Sequence, residues 1–114
     1  MEHGKWVVEY SPEVTDWLNS DVDSCELTAI TSAIRVLKEF GPALGRPVVD
    51  TIKGSKYKNM KELRPRGTHI RILFIFNKNR IAVLLVGGSK EGQWKSWYNK
   101  NIPLAEKIYE RKSK

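Results

Sequence analysis

The chain has 114 residues and a single cysteine, Cys25, so no internal disulfide can form. Histidines number only two, and no Cys/His cluster of zinc-binding spacing exists. The longest apolar run is Ile81–Val86, far short of the ~20 residues that a membrane-crossing helix needs. The opening MEHGKWVVEY holds no apolar stretch of signal-peptide length. A cytoplasmic location is therefore expected. A Gly-rich phosphate loop of the P-loop type and a serine nucleophile elbow are also missing. There is no internal repeat and no linker long enough to separate domains, so one domain over residues 1–114 is expected. Cys25 lies in an apolar helical pattern and reads as a small core residue.

Acidic residues are nearly missing from the middle of the chain. Residues 53–80 hold nine Lys/Arg and one acid, a net of +8. Residues 1–52 hold four Lys/Arg against nine Asp/Glu, a net of −5. Residues 81–114 hold seven against three, a net of +4. Concentrated basic charge points to a polyanionic partner, most simply nucleic acid; a solvated basic surface is the plain alternative.

Lys5–Tyr10 is rich in β-formers and predicts a first strand. Ser11-Pro12 opens a helix, because Ser caps and Pro suits the first helical position. Asp23 followed by Glu26 predicts a capping box. Behind it Leu27, Ile30, Ala33, Ile34, Leu37 and Phe40 form one apolar stripe, and Gly41-Pro42 stops the helix. Residues 11–40 thus read as a helical hairpin that packs its stripe on a sheet. Val48–Ile52 is strand-like. Three strands follow at about 58–64, 69–76 and 80–87, with links short enough for antiparallel neighbours. Gly87-Gly88 ends the last strand. Trp94, Trp97 and Tyr98 suit a short helix, and a further helix restarts at Asn101-Ile102-Pro103. The fold class expected is α+β: a small, mostly antiparallel sheet with the helical hairpin on one face and a C-terminal helix.

The segment MKELRPRGTHIRILFIF places charge beside a greasy strand. Alternation puts Ile70, Ile72, Phe74 and Phe76 on one face, with Leu63 joining from the strand before. His69 and Arg71 take the other face, with Glu62 and Arg64. A turn centred on Arg66-Gly67 pairs Leu63 with Ile70, Glu62 with Arg71 and Arg64 with His69. That register leaves an open sheet face beginning with four charged or titratable groups, near Lys90, Trp94 and Tyr98. It also leaves Arg71 removable without opening the core. Ordinary cross-strand ion pairs would explain the same residues. Arginine forks, however, bind phosphate in two-point fashion. Carboxylate, imidazole or lysine moves protons, and aromatic rings stack on bases. Such a set suits metal-free RNA cleavage by the RNA's own 2′-hydroxyl. Trp6 and Trp17 read as core or core-edge residues, and Trp94, Trp97 and Tyr98 as residues packed against the sheet, at least one of them able to stay exposed near the basic face as a base platform.

The order of strand, helical hairpin, IKGSKYKNMKELRPRGTHIRILFIF, RIAVLLVGGSKEGQWKSWY and closing helix resembles the RelE/ParE toxin superfamily, above all its phage-derived, HigB-like branch. The resemblance rests on Gly54-Ser55, Lys61-Glu62-Leu63-Arg64, Ile70-Arg71-Ile72-Leu73, and Val83-Leu84-Leu85-Val86 followed by Lys90. It implies the toxin of a type II toxin–antitoxin pair, with a helix-turn-helix antitoxin as partner. RelE- and HigB-like members are endoribonucleases that cut mRNA on the ribosome without metal or cofactor; ParE-like members inhibit DNA gyrase. Arg71, Arg64, Lys90 and Tyr98 match the basic and tyrosine positions of the nucleases. Where RelE proper has a lysine, this chain has Glu62. Glu62, His69 and the Lys56/Lys58 pair stay open as general base. The catalytic candidates are thus Arg71, Arg64, Glu62, His69, Lys90 and Tyr98. Lys56, Lys58, Lys61, Arg66 and Trp94 are the RNA-binding candidates.

Overall fold

Ser11 shows how the first elements are joined. In the computed structural model, which describes residues 5–89, 92 and 94–112, Ser11 follows strand β1 (Val7–Tyr10) and caps helix α1 (Pro12–Ser20). Its hydroxyl accepts from the Val14 amide at 3.0 Å and donates to the Leu85 carbonyl at 2.8 Å. Its own N–H donates to the Leu84 carbonyl at 2.9 Å. One buried serine therefore ties the end of β1, the start of α1 and the middle of strand β5 (Ile81–Ser89).

Helix α2 (Ser24–Phe40) opens on the expected capping box of Asp23 and Glu26. Ile30, Ala33, Ile34 and Leu37 of the expected stripe are buried. Leu27 and Phe40 are not: they are 43% and 55% exposed, because the stripe runs past the packed surface at both helix ends. Cys25, in the first turn, is exposed rather than in the core.

Strand β2 (Val49–Thr51), β3 (Met60–Leu63) and β4 (Ile70–Phe76) complete a five-stranded sheet of order β1-β5-β4-β3-β2. Only the β1–β5 pair is parallel. Leu63 pairs with Ile72 and Glu62 with Leu73, a shift of two residues from the expected register. The link from Arg64 to His69 is longer than a tight turn, so His69 precedes β4 and pairs with nothing in β3. A shift of two preserves which face each side chain takes. On β5, Leu73 pairs with Val86 and Phe74 with Leu84, leaving Leu85 as a bulge. The bulge lets the neighbours Leu85 and Val86 both join the same cluster.

Both faces of the sheet are covered. Ile70, Ile72, Phe74, Leu63 and Leu84 pack with α2 and Val14 of α1. Met60, Leu73, Ile75, Val83 and Leu85 pack with Ile102, Ala105 and Ile108 of helix α3 (Trp94–Lys112). Each fully buried Leu or Ile contributes about 1.5–3 kcal/mol. Helix α3 is continuous, where two helices were expected. Pro103 lacks the N–H that would bond the Asn99 carbonyl, yet the helix runs through it because side chains before and after it pack on one sheet face.

β5 extends through Gly87 and Gly88 to Ser89 instead of ending at the glycines. A Cβ on Gly87 would stand 2.4 Å from the Trp17 ring, and one on Gly88 would stand 2.6 Å from Nε1 of Trp97. The two glycines are seats for a tryptophan on each face. Among the described residues, no helix is long and apolar enough to cross a membrane.

Candidate active site

The charged groups of β3 and β4 lie beneath the first turns of α3. Glu62 is 6% exposed and Arg71 8%, so the face expected to be open is closed by α3. Arg71 pairs with Gly88 across the β4–β5 ladder, and the missing side chain there lets Trp97 come close to the sheet. The Tyr98 hydroxyl donates to Glu62 Oε1 at 2.5 Å. The rings of Trp97 and Tyr98 meet edge to face at 5.3 Å, and those of Trp94 and Tyr98 stack at 5.8 Å. The Arg71 guanidinium lies over the Trp94 ring, 4.7 Å from its centroid, a cation–π contact.

A chain of alternating charge runs from the surface to this point. Arg46 Nε stands 3.6 Å from Asp50, and Asp50 stands 3.6 Å from Arg64. Glu62 lies between Arg64 and Arg71, 3.9 Å from the Nε of each. Exposure falls along the chain, from 78% for the Arg46 side chain to 10% for that of Arg71. Arg71 donates through one terminal nitrogen to the Ile70 carbonyl at 2.7 Å. Its Nε is buried and makes no hydrogen bond among the described residues. An unmet buried donor on a cation is costly. Burial, then the nearby Arg64 charge, lower the Arg71 pKa. Burial, then the bond to Glu62, push Tyr98 well above the ordinary tyrosine value, so it stays protonated at neutral pH.

The other sequence candidates stand elsewhere. His69 is exposed on the loop before β4. Lys61 points to the opposite sheet face from Glu62 and donates to Thr51 at 3.0 Å. Arg66 is exposed and lines a groove with Ala29, Ser32 and Val48. Lys58 is exposed on the loop before β3. Lys56 bonds Glu110 at 2.7 Å, twelve residues or roughly 18 Å along α3 from Tyr98. Lys90 lies outside the described residues. Arg64, Glu62, Arg71, Tyr98 and Trp94 are thus brought together. Asp50 and Arg46 belong to the same network and were missed. The signal was present, since Val49-Asp50 repeats the apolar–charged alternation of Leu63-Glu62. Among the described residues, no three His, Cys, Asp or Glu side chains group as a metal site.

Residues 16–110 match the family model described as phage-derived protein Gp49-like (DUF891). A Mycobacterium tuberculosis protein named "Putative toxin HigB3" is 52% identical over 98 residues, which span 83% of this chain and 82% of that protein. "Putative toxin HigB2" of the same organism is 46% identical over 100 residues, 84% of this chain but 49% of that longer protein. Among solved structures, the M. tuberculosis toxin–antitoxin complex RelBE2 contains a chain that superposes with a TM-score of 0.57 at 15% identity, covering 75% of this chain and 98% of that one. That likeness is one of fold. The family model spans most of the sequence, and the chain belongs to the Gp49-like family, together with the HigB relatives.

Proposed function

We propose that this protein is the toxin of a toxin–antitoxin pair and acts as an endoribonuclease on mRNA. The names of its HigB relatives and the partner chain in the RelBE2 complex support the first part. One observation carries the second: a buried arginine with an unmet Nε, held beside a carboxylate and a neutral tyrosine. In this reading Arg71 and Arg64 bind the scissile phosphate and meet the charge that builds on it. Each such donor is worth about 3–4 kcal/mol to the transition state. Glu62 takes the proton of the 2′-hydroxyl. The 2′-oxygen bonds phosphorus, the bond to the 5′-oxygen breaks, and that oxygen is protonated from solvent. The products are a 2′,3′-cyclic phosphate and a 5′-hydroxyl end. Tyr98 holds Glu62 in place. Trp94 now lies over Arg71, so substrate entry displaces its ring, which is then free to stack on a base.

Induced expression without a partner, with new mRNA 5′ ends mapped, tests the reading. Growth arrest with fresh 5′ ends and loss of translation before replication is the expected result. Failure of replication first, with gyrase inhibited and mRNA intact, would replace the nuclease by a binding toxin.

A further inference from the structure

Two carboxylates stand directly opposite each other in the sheet. β2 and β3 pair Asp50 with Glu62, which puts both side chains on the same face. Like charges so placed destabilise a sheet, and Arg64 offsets the cost. Its amide donates to the Val48 carbonyl at 2.7 Å, which fixes its backbone one step beyond the β2–β3 ladder. Its side chain lies between the two anions: Nη1 is 3.6 Å from Asp50 Oδ2, and Nε is 3.9 Å from Glu62 Oε2. Neither separation is that of a hydrogen bond. Asp50 is held back from closing its own contact, because its other oxygen, Oδ1, accepts from the Thr51 amide at 2.9 Å and faces Arg46 Nε at 3.6 Å. The Arg64 guanidinium is thus suspended between two carboxylates and closed on neither. Among the described residues its Nη2 forms no ion pair.

We infer that Asp50 is a positioning residue of the site, and that its task is to hold Arg64 off Glu62. The inference rests on the nuclease reading, in which Arg64 meets the scissile phosphate and Glu62 takes the 2′-hydroxyl proton. An arginine fork closes on a carboxylate in two-point fashion, through short bonds. With the Asp50 charge removed, Arg64 keeps Glu62 as its one anionic neighbour among the described residues, and it closes on that carboxylate. Tyr98 already occupies Oε1. Arg64 on Oε2 then leaves Glu62 poorly placed to take a proton, and the fork is turned away from the phosphate. Asp50 touches neither the substrate nor the reacting atoms; it acts through Arg64 alone.

The test is Asp50→Asn, which keeps Oδ1 for the Thr51 amide and removes only the charge. Cleavage of one message in a translating extract is followed across message concentrations, beside a thermal melt of each protein. The expected result is a fall in kcat of about tenfold to hundredfold, the scale of a misplaced catalytic group, with KM nearly unchanged. The variant melts like wild type, because the ion pair lost is partly exposed and the opposed charge is relieved. Arg64→Ala is slow by itself, and Asp50→Asn added to it slows it no further; Arg64→Gln takes its place if Arg64→Ala does not fold. Wild-type kcat in Asp50→Asn, or a further loss on top of the Arg64 variant, overturns the inference and leaves the nuclease reading standing. So does a rise in KM at unchanged kcat, or a loss of rate no larger than the loss of folded protein. A wild-type protein that leaves the message uncut overturns the nuclease reading and the inference with it.

Discussion

Two tyrosine–glutamate–cation triplets mark the two ends of α3. At the N-terminal end Tyr98 donates to Glu62 at 2.5 Å, beside Arg71. Towards the C-terminal end Tyr57 donates to Glu110 at 2.5 Å, beside Lys56 at 2.7 Å. The chemistry is nearly the same. Burial is not: the Glu62 and Arg71 side chains are 8% and 10% exposed, against 37% and 61% for Glu110 and Lys56. Water screens the outer triplet, and its closer ion pair has the modest worth of a surface contact. The inner triplet has wider ion-pair spacing and an unmet nitrogen, yet every charge in it acts through little solvent. In the nuclease reading, the dry surroundings and the open valence, rather than proximity, set the inner triplet apart from the outer one.

Replacing Arg71 is the strongest way to break the inner triplet. Arg71→Ala leaves Glu62 buried with only Arg64 and Tyr98, and should cost about 3 kcal/mol in a denaturant melt, the low end for a broken buried pair. The sequence alone suggested little cost, because it left this face open. In the nuclease reading, cleavage by whatever fraction remains folded falls ~10²-fold or more. Arg71→Lys keeps the charge without the fork and recovers only part. A folded Arg71→Ala protein that cuts mRNA at the wild-type rate would take Arg71 out of the site.

Tyr98→Phe comes next. It removes the donor to a buried carboxylate and should cost about 1–3 kcal/mol. Its pH dependence separates it from a packing defect. The folded state raises the Tyr98 pKa, so its contribution is fully present below the ordinary tyrosine value of about 10 and declines as pH rises from there towards the folded value. Wild type should lose stability above about pH 10 more steeply than Tyr98→Phe. Parallel curves for the two proteins would show that Tyr98 is not coupled to Glu62.

Trp94→Ala has a smaller effect. The ring is 39% exposed, and a cation–π contact there contributes roughly 0.5–1 kcal/mol to the fold. Loss of one base platform should weaken single-stranded RNA binding about fivefold. Tighter binding instead would mean that the ring only obstructs Arg71.

The sequence made legible whatever depends on local period. The α2 stripe, the capping box, β3 to β5 and the face taken by each of their residues follow from spacings of two or 3.6 residues. Register escaped by two positions because the Arg64–His69 link is irregular. The cover supplied by α3 escaped for another reason. The spacing of Trp94, Trp97 and Tyr98 predicts a helix but not the face on which it lands; the landing depends on Gly88, read there only as a strand end. Of the site, Glu62, Arg64 and Arg71 were visible as charges in a strand. That Tyr98 reaches Glu62, and that Asp50 holds Arg64, depends on contacts across 36 and 14 positions of sequence that no local pattern carries.

Glu110→Gln is the matched control for the inner triplet, and its expected effect is the smallest. It removes the charge that faces Lys56 and keeps the volume. Glu110 is the main cause of the raised pKa values of both Lys56 and Tyr57, but these groups stand in water, which already solvates them. The loop is held independently by Glu106, which accepts from the Ser55 hydroxyl at 2.8 Å and the Lys56 amide at 2.9 Å. The melting midpoint should therefore match wild type within error, at low salt and at 1 M salt alike. Glu62→Gln, the same atom-for-atom change in the buried triplet, leaves Arg71 facing no carboxylate and Arg64 only Asp50, and should melt clearly lower. If the two variants lose equal stability, burial is not what distinguishes the triplets, and the unmet Arg71 nitrogen loses its meaning as the mark of a site.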